Sequence, residues 1–273
     1  MYPELIRIGG VAIHTYGFMM TLAFALGIAM AIYRGKKYDI DSGTIWDLAI
    51  VVILSSLLGS RALYVITHLN EFQGNWFAII NPIQPDGRIG IAGMVLLGGV
   101  VTATIAAIIF IRKRDMDVWA LADVIAPVLA VGISLGRIGC FCTGCCYGQP
   151  TDSPLGIVFP HDSHAGSHFP NTPVLPTQLF ASGFCFLLAV SLIIIERWKK
   201  FHGFTFSLFL IGYSIFRIWI DTIRVYDAGD ILINTATLRI TVSQSIAAGM
   251  IVFGVGLFVV LRKKQIDSSG MRA

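Results

Sequence analysis

Charged residues are scarce in this chain of 273 residues: Asp, Glu, Lys and Arg make up 13% of it, against 55% hydrophobic residues. Soluble globular domains carry roughly 25% charged residues. The mean hydropathy of +0.75 is also far above the soluble range. The composition therefore excludes an ordinary soluble domain, and it indicates that lipid surrounds most of the surface.

The sequence also lacks a recognisable cleavable signal, because its apolar runs recur along the whole chain rather than once at the start. A helix needs about 20 apolar residues to cross a hydrocarbon core of about 30 Å. Seven runs meet this length, at residues 12–33, 46–66, 89–111, 118–137, 178–195, 204–223 and 240–261. We expect an all-α, polytopic integral membrane protein with one domain over residues 1–273.

Basic residues are nearly missing from alternate connections: segments 67–88, 140–176 and 225–239 hold only Arg88 and Arg239. The other connections are basic, and basic loops mark the cytoplasmic side. The predicted topology places the N-terminus outside and the C-terminus in the cytoplasm. The basic clusters follow spans one, three, five and seven, at Arg34, Lys36 and Lys37, at Arg112, Lys113 and Arg114, at Arg197, Lys199 and Lys200, and at Arg262, Lys263 and Lys264.

Polar residues inside the predicted spans gather toward the outer face. Arg217, Asp221 and Arg224 are spaced by about one helical turn and therefore share a face of span six. Asp123, in the cytoplasmic half of span four, is expected to act as a helix cap or kink partner. The other outer-face candidates, taken in chain order, are His14, Tyr16, Arg61, Arg137, Gln178, Ser243 and Gln244.

Each arginine within a bilayer costs at least ~2.5 to 3.5 kcal/mol on insertion scales, so four of them need compensation. Arg61 and Arg224 lie near span ends, where snorkelling to the headgroups is an alternative to a functional role. Arg137 lies between glycines, and Arg217 has Asp221 at i+4. Guanidinium groups match phosphate oxygens in pairs, so the cluster predicts a clamp for a phospholipid headgroup.

Four of the five cysteines lie between residues 140 and 146, on the predicted outer side. Several interpretations stay open: a structural disulfide, a CxxC redox pair of Cys142 and Cys145, or an enzyme nucleophile. A zinc site that adds outer-loop histidines is a further alternative. Those histidines are His161, His164 and His168. The 28 glycines indicate close helix packing or, alternatively, close backbone approach to a lipid phosphate.

The order of these motifs over nearly the whole chain resembles the prolipoprotein diacylglyceryl transferase family. The residues that carry the resemblance are His14-Thr15-Tyr16-Gly17, Gly59-Ser60-Arg61-Ala62-Leu63-Tyr64, Gly136-Arg137-Ile138-Gly139 running to Gly144 and Tyr147-Gly148, Pro176-Thr177-Gln178-Leu179, and Phe216-Arg217 through Asp221 to Arg224. The resemblance implies transfer of a diacylglyceryl group from phosphatidylglycerol to the lipobox cysteine of a prolipoprotein signal peptide. A thioether forms and glycerol phosphate leaves, at the outer face of the bacterial inner membrane.

The resemblance also implies roles for individual residues. We expect Arg137 and Arg217 to stabilise the leaving phosphate, and Tyr16 and His14 to be catalytic with them. Substrate binding is expected of Arg61, Arg137, Asp221, Gly148, Gln178 and Arg224. Phosphatidylglycerol, the lipobox peptide and membrane lipids are the expected partners; no cofactor, metal or nucleic acid is expected.

Several positions depart from the family pattern. Leu97 stands where a histidine or tyrosine is usual, so the usual general-base candidate is missing. Cys140 and Cys145 replace the usual asparagine and glutamate, while Leu175 and Ala181 replace polar residues. Either His14 or the field of the arginines lowers the pKa of the substrate thiol, or the chain is a lipid-binding paralogue without this chemistry. A membrane thiol-disulfide oxidoreductase using Cys142 and Cys145, or a lipid flippase, are alternatives from other classes.

Overall fold

Seven membrane-length helices dominate the computed structural model, which describes residues 4–8, 11–74, 76–79, 93–226, 229, 231–234 and 239–270. This confirms the predicted helical membrane fold. The long helices are α1 (Thr15–Gly35), α2 (Ser42–Thr67), α3 (Leu96–Lys113), α4 (Val118–Thr143), α6 (Thr177–Ile195), α7 (Phe204–Thr222) and α8 (Val242–Gly270), and α5 (His164–His168) is one short turn. Two antiparallel strand pairs, β1 (Glu4–Ile8) with β2 (Val11–His14) and β3 (Ile231–Asn234) with β4 (Arg239–Thr241), were not predicted.

At two helix ends that differ from the predicted spans, a glycine with a positive φ lies nearby. α3 begins at Leu96 rather than at residue 89, and the preceding Gly93 has a φ of +75° that a helix does not use. Arg88 lies outside the described residues. α4 runs on to Thr143 instead of ending at residue 137, and Gly144, with a φ of +71°, ends it. Cys140 and Cys142 are therefore helical.

The chain divides into two compact units: residues 35–118, here the two-helix unit, and residues 1–34 with 119–273, here the main unit. In the two-helix unit α2 and α3 approach closely through glycines. A Cβ on Gly98 would collide with the Gly59 carbonyl, and the Thr102 hydroxyl donates to the Ser55 carbonyl at 2.8 Å. Close packing, the simpler of the two roles considered for these glycines, is therefore confirmed for this pair.

Small residues also bring the helices of the main unit together. Ala126 and Ala130 of α4 pack against Ala189 and Leu192 of α6 and against Phe209 of α7, and all five are almost fully buried. α1 lies against α4, where a Cβ on Gly27 would approach the Val128 side chain to 3.2 Å. α4 thus occupies the centre of this unit.

A buried charge network joins α1, α4, α7 and the turn that follows α6 at one end of the main unit. The carboxylate of Asp123 accepts hydrogen bonds from the amides of Gly203 at 2.8 Å and Phe206 at 2.9 Å, at the start of α7. The same carboxylate pairs with Lys199 at 2.8 Å, and Arg34 pairs with Glu196 at 3.1 Å. The predicted capping role of Asp123 is confirmed. These residues lie beside or within the connections predicted to be cytoplasmic.

Backbone pairing organises the opposite end of the main unit, where the segment after α4 meets the start of α6 and the end of α7. The amide of Gly148 donates to the Leu175 carbonyl at 2.8 Å, and the amide of Gln149 donates to the Ile223 carbonyl at 2.9 Å. A Cβ on Gly148 would meet Thr177 and Leu175 below 3.0 Å, so only glycine fits there. This pairing fixes Arg224, the bridge partner of Gly148.

Candidate active site

Arg217 is the centre of a polar network at this end of the main unit. Its Nε donates to the Ser243 hydroxyl at 2.7 Å, and its Nη2 donates to the Tyr226 hydroxyl at 3.0 Å. Nε also lies 3.4 Å from Oδ1 of Asp221, whose side chain is fully buried. The predicted i, i+4 pair is confirmed, and it compensates a guanidinium deep in the bundle.

Tyr226 links the two arginines of this network. Its hydroxyl donates to Oδ1 of Asp221 at 2.6 Å and accepts from Nη1 of Arg224 at 3.3 Å. The Arg224 guanidinium also lies over the Tyr226 ring, 4.8 Å from its centroid. Burial raises the pKa of Tyr226 to about 12, so the hydroxyl keeps its proton at neutral pH. Sequence reasoning missed this residue, because Tyr226 lies beyond α7 and reaches Asp221 only where the chain turns back.

Arg137 differs from Arg217 in its partners. It donates no hydrogen bond to any residue that the structure describes, and it forms no ion pair with them. Its electrostatic neighbours are Tyr213, Cys146, Cys140 and Cys185. Arginine carries five N–H donors that are costly to leave without a partner in an apolar medium. A guanidinium held in this way is available to an anionic group of a ligand.

Tyr16 approaches the same region from the first turn of α1. Gly139 of α4 makes this possible, because a Cβ there would come within 3.1 Å of Cδ2 of Tyr16 and within 3.3 Å of Cβ of Met19. Arg137 and the cysteine cluster are electrostatic neighbours of the Tyr16 hydroxyl. The Tyr16 side chain remains 43% exposed, as expected of a group that contacts lipid.

Three thiols meet beside these groups. The Sγ atoms of Cys140, Cys145 and Cys146 all lie within 4.8 Å of one another. The chain reverses at Gly144, so that the amide of Cys145 donates to the Cys140 carbonyl at 3.1 Å. Cys146 itself has a φ of +63°, in the left-handed region that non-glycine residues rarely adopt.

α6 holds this turn from the other side. Nε2 of Gln178 donates to the Cys145 carbonyl and the Thr177 hydroxyl donates to the Cys146 carbonyl, both at 2.7 Å. Gln178 is fully buried, and its Oε1 has no hydrogen-bond partner among the described residues. Gln178 thus contacts the cysteine turn through its amide nitrogen, which positions the thiols.

The arrangement of the cysteines matches neither the predicted structural disulfide nor the predicted redox pair of Cys142 and Cys145. All five are free thiols, so the structure holds no disulfide among the described residues. Cys145 lies with Cys140 and Cys146, and Cys142 is not part of that group. The three thiols that meet therefore include Cys145 but not Cys142. Hydrogen bonds from the Cys140 and Cys145 thiols, with a further contribution from Arg224, lower the pKa of Cys146.

A cavity of about 200 Å³ lies beside the arginine network. Arg224 and Tyr226 contribute to its wall, together with Cys145, Cys146 and His168. Nδ1 of His168 is 2.7 Å from the Tyr147 hydroxyl, which fixes both rings. The cavity is large enough for a phosphate group and part of a glycerol, and its wall is polar on the arginine side.

Three other residues considered in the sequence analysis do not join the arginines and thiols described above. His14 is exposed at the end of β2, and its side chain forms no hydrogen bond or ion pair with a described residue. Arg61 belongs to the two-helix unit, where it donates to the carbonyls of Ala78 and Ile79 at 2.9 Å and of Gly93 at 3.2 Å. Leu97 is 56% exposed and offers no proton acceptor.

Fold and site together define a multi-pass membrane protein with three arginines, Arg137, Arg217 and Arg224, at one end of a helix bundle. A family model described as prolipoprotein diacylglyceryl transferase matches residues 3–260. The chain belongs to this family, which confirms the resemblance and the enzyme class predicted from the motifs.

Relatives are similar over almost their full length. A phosphatidylglycerol–prolipoprotein diacylglyceryl transferase of Clostridium tetani is 32% identical over 260 residues, which cover 94% of this chain and 97% of the relative. A second transferase of that name from Clostridium perfringens is 30% identical, with 97% of each chain covered. The transferase of Synechococcus elongatus is 32% identical, with 93% of this chain and 85% of the relative covered.

Proposed function

We propose that this chain transfers the diacylglyceryl group of phosphatidylglycerol to the thiol of a lipobox cysteine in a prolipoprotein signal peptide. The observation that carries the proposal is Arg137, a guanidinium inside the bundle that no described residue hydrogen-bonds. Phosphatidylglycerol supplies what Arg137 lacks, which is a buried phosphate oxygen. The names of the relatives, which cover nearly this whole chain, support the same substrates.

The reaction requires stabilisation of the leaving phosphate. The substrate sulfur attacks a glycerol carbon, the bond from that carbon to the phosphate oxygen breaks, and glycerol phosphate leaves with the electron pair. Arg137 binds the phosphate directly, while Arg224, which faces the cavity with Tyr226, neutralises the charge that develops on it. Charges placed in advance contribute the largest usual share of transition-state stabilisation.

Arg217 acts on this phosphate through its neighbours rather than alone. Its Nε and Nη2 are already used by Ser243 and Tyr226, and Asp221 balances its charge. The pair therefore fixes the Tyr226 hydroxyl, and the hydroxyl fixes Arg224. Rigid support of this kind keeps the Arg224 guanidinium in the position that the reaction requires.

The orientation of the protein is part of the proposal. The family resemblance implies the bacterial inner membrane, and the basic connections favour a topology with the N-terminus and the active site outside. The packing of the main unit supports this topology. Asp123, Lys199 and Glu196, which the topology assigns to the cytoplasmic side, meet at one end of the unit, and Arg137 and Arg224 lie toward the other end. A phosphatase that folds only outside the cytoplasm, fused after residue 160, should be active; fused after residue 114, it should be inactive. The reverse result would overturn this topology.

The reaction itself is tested with the full-length protein in detergent, phosphatidylglycerol and a lipobox peptide. Mass spectrometry should detect the diacylglyceryl group on the peptide cysteine. Arg137→Ala should abolish the product. Arg112→Ala should not, because Arg112 is exposed and belongs to a connection predicted to be cytoplasmic. Absence of product from the wild-type protein, next to an active relative in the same assay, would contradict the proposed function.

A further inference from the structure

We infer that Cys140, Cys145 and Cys146 form a zinc site whose fourth ligand is the thiol of the substrate cysteine. The inference rests on the proposed transferase reaction and adds to it the group that activates the attacking sulfur. The three Sγ atoms already lie within 4.8 Å of one another. A tetrahedral zinc ion with Zn–S bonds of about 2.3 Å needs sulfur atoms about 3.8 Å apart, so small side-chain movements complete the site.

The backbone is built to hold these three thiols at one point. Cys146 keeps a left-handed φ of +63°, a conformation that costs roughly 1–3 kcal/mol and persists where the surroundings impose it. Thr177 and Gln178 impose it by binding the carbonyls of Cys146 and Cys145. A disulfide would use two of the thiols and leave the third without a partner, whereas a metal ion uses all three.

The charge of the surroundings suits such a complex. Zinc with three thiolates carries a net charge of −1, and a substrate thiolate makes it −2. Arg137 and Arg224 are electrostatic neighbours of Cys146, so the arginines stabilise the thiolate complex although they would repel a bare cation. Three protein ligands and one open position are the arrangement that catalytic zinc sites use.

A zinc ion at this site would promote deprotonation of the substrate thiol, for which Leu97 offers no base. A free thiol with a pKa near 8.5 is only a few per cent thiolate at neutral pH, whereas a thiol that binds zinc is deprotonated. Its proton passes to solvent when the Zn–S bond forms. The bound sulfur then attacks the glycerol carbon of the lipid whose phosphate Arg137 holds, and the thioether product, a weaker ligand, leaves the metal. No electrons are gained or lost.

Metal binding is tested first, without any reaction. The full-length protein, kept reduced in detergent, is loaded with Zn²⁺, freed of excess by gel filtration and measured for zinc by mass spectrometry. We expect one ion per chain, and at least a tenfold loss of affinity in Cys140→Ser and in Cys145→Ser. Cys142→Ser is the matched control, because Cys142 is on the same helix but outside the cluster, and it should bind as the wild type does.

The fourth ligand is tested with Co²⁺ in place of Zn²⁺. Thiolate-to-cobalt absorption in the near ultraviolet should increase when the lipobox peptide is added, and a peptide with serine in place of the cysteine should leave it unchanged. No stoichiometric metal, or an equal loss in Cys142→Ser, would overturn the site. Full transfer by chelator-treated protein would also overturn the inference and leave the transferase intact. Failure of transfer with and without metal would instead count against the proposed function, since the cobalt spectrum reports on the site independently.

Discussion

The hydroxyl of Tyr226 donates to Oδ1 of Asp221 at 2.6 Å while it accepts from Nη2 of Arg217 at 3.0 Å. One phenol therefore connects the two members of an ion pair that are already neighbours on α7. It also reaches Arg224 at 3.3 Å. The hydroxyl is thus a shared partner of the two guanidinium groups.

Removal of that hydroxyl should reduce transfer strongly. A lost hydrogen bond to a charged group costs about 1.5–3 kcal/mol, so Tyr226→Phe should lower kcat/KM by roughly 10- to 100-fold. Tyr33→Phe is the control, since Tyr33 is 79% exposed. Asp221→Asn should lower kcat/KM by a smaller factor in the Tyr226→Phe variant than in the wild type, because both residues act on one network. Fully additive losses in this double-mutant cycle would count against the network.

Arg137 and Arg217 should respond differently to replacement. Arg137→Met should lower kcat by about 100- to 1,000-fold, as for other pre-placed charges, with the thermal unfolding temperature unchanged or raised because no described residue loses a partner. Arg217→Met leaves the buried Asp221 without its cation, and such a loss costs about 3–5 kcal/mol. Thermal unfolding in detergent, measured beside the transfer rate, separates the two. Equal destabilisation by both substitutions would contradict the distinction.

A small change at Gly139 should act through Tyr16. In Gly139→Ala the new methyl group lies 3.1 Å from the Tyr16 ring, so the ring must move by a few tenths of an ångström. We expect about a tenfold loss of kcat/KM, because small displacements of binding groups are costly in catalysis. Gly132→Ala on the same helix meets nothing within 4 Å and should retain activity. Equal activity of the two variants would remove Tyr16 from the substrate site.

The Asp123 network should affect stability without affecting the chemistry. Asp123→Ala removes the acceptor of two α7 amides and the partner of Lys199, so the free energy of unfolding should fall by about 3–5 kcal/mol. The KM for phosphatidylglycerol should not change in the molecules that remain folded. Asp152→Ala, at an exposed position, is the control for thermal unfolding. A raised KM with unchanged unfolding would show that this network serves the site instead.

The sequence predicted those features that follow from local spacing or from apolar length. The seven helices come from runs that a bilayer requires, and the Arg217–Asp221 pair comes from the geometry of one helix turn. The capping role of Asp123 was also open to prediction, because a lone buried carboxylate near a chain reversal needs donors.

Other features depend on contacts between distant segments, which spacing does not determine. Tyr226 gains its role only when the segment after α7 folds back onto Asp221. Its place in a basic connection predicts an exposed Arg34, but the side chain is buried against Glu196. Cys145 and Cys146 meet Cys140 through left-handed backbone at Gly144 and Cys146, whereas the CxxC spacing favoured Cys142 as the partner.

The buried charges at the Asp123 end have a mechanical consequence for the main unit. Two ion pairs and two capping hydrogen bonds tie α1, α4, α7 and the turn after α6 together there. Opposite them, α1 meets α4 at Gly139 with little more than the Tyr16 and Met19 side chains between the backbones. That close approach, together with the backbone pairing of the segment after α4 with α6 and α7, holds the second end as well, so the arginines there are kept in place before any lipid binds.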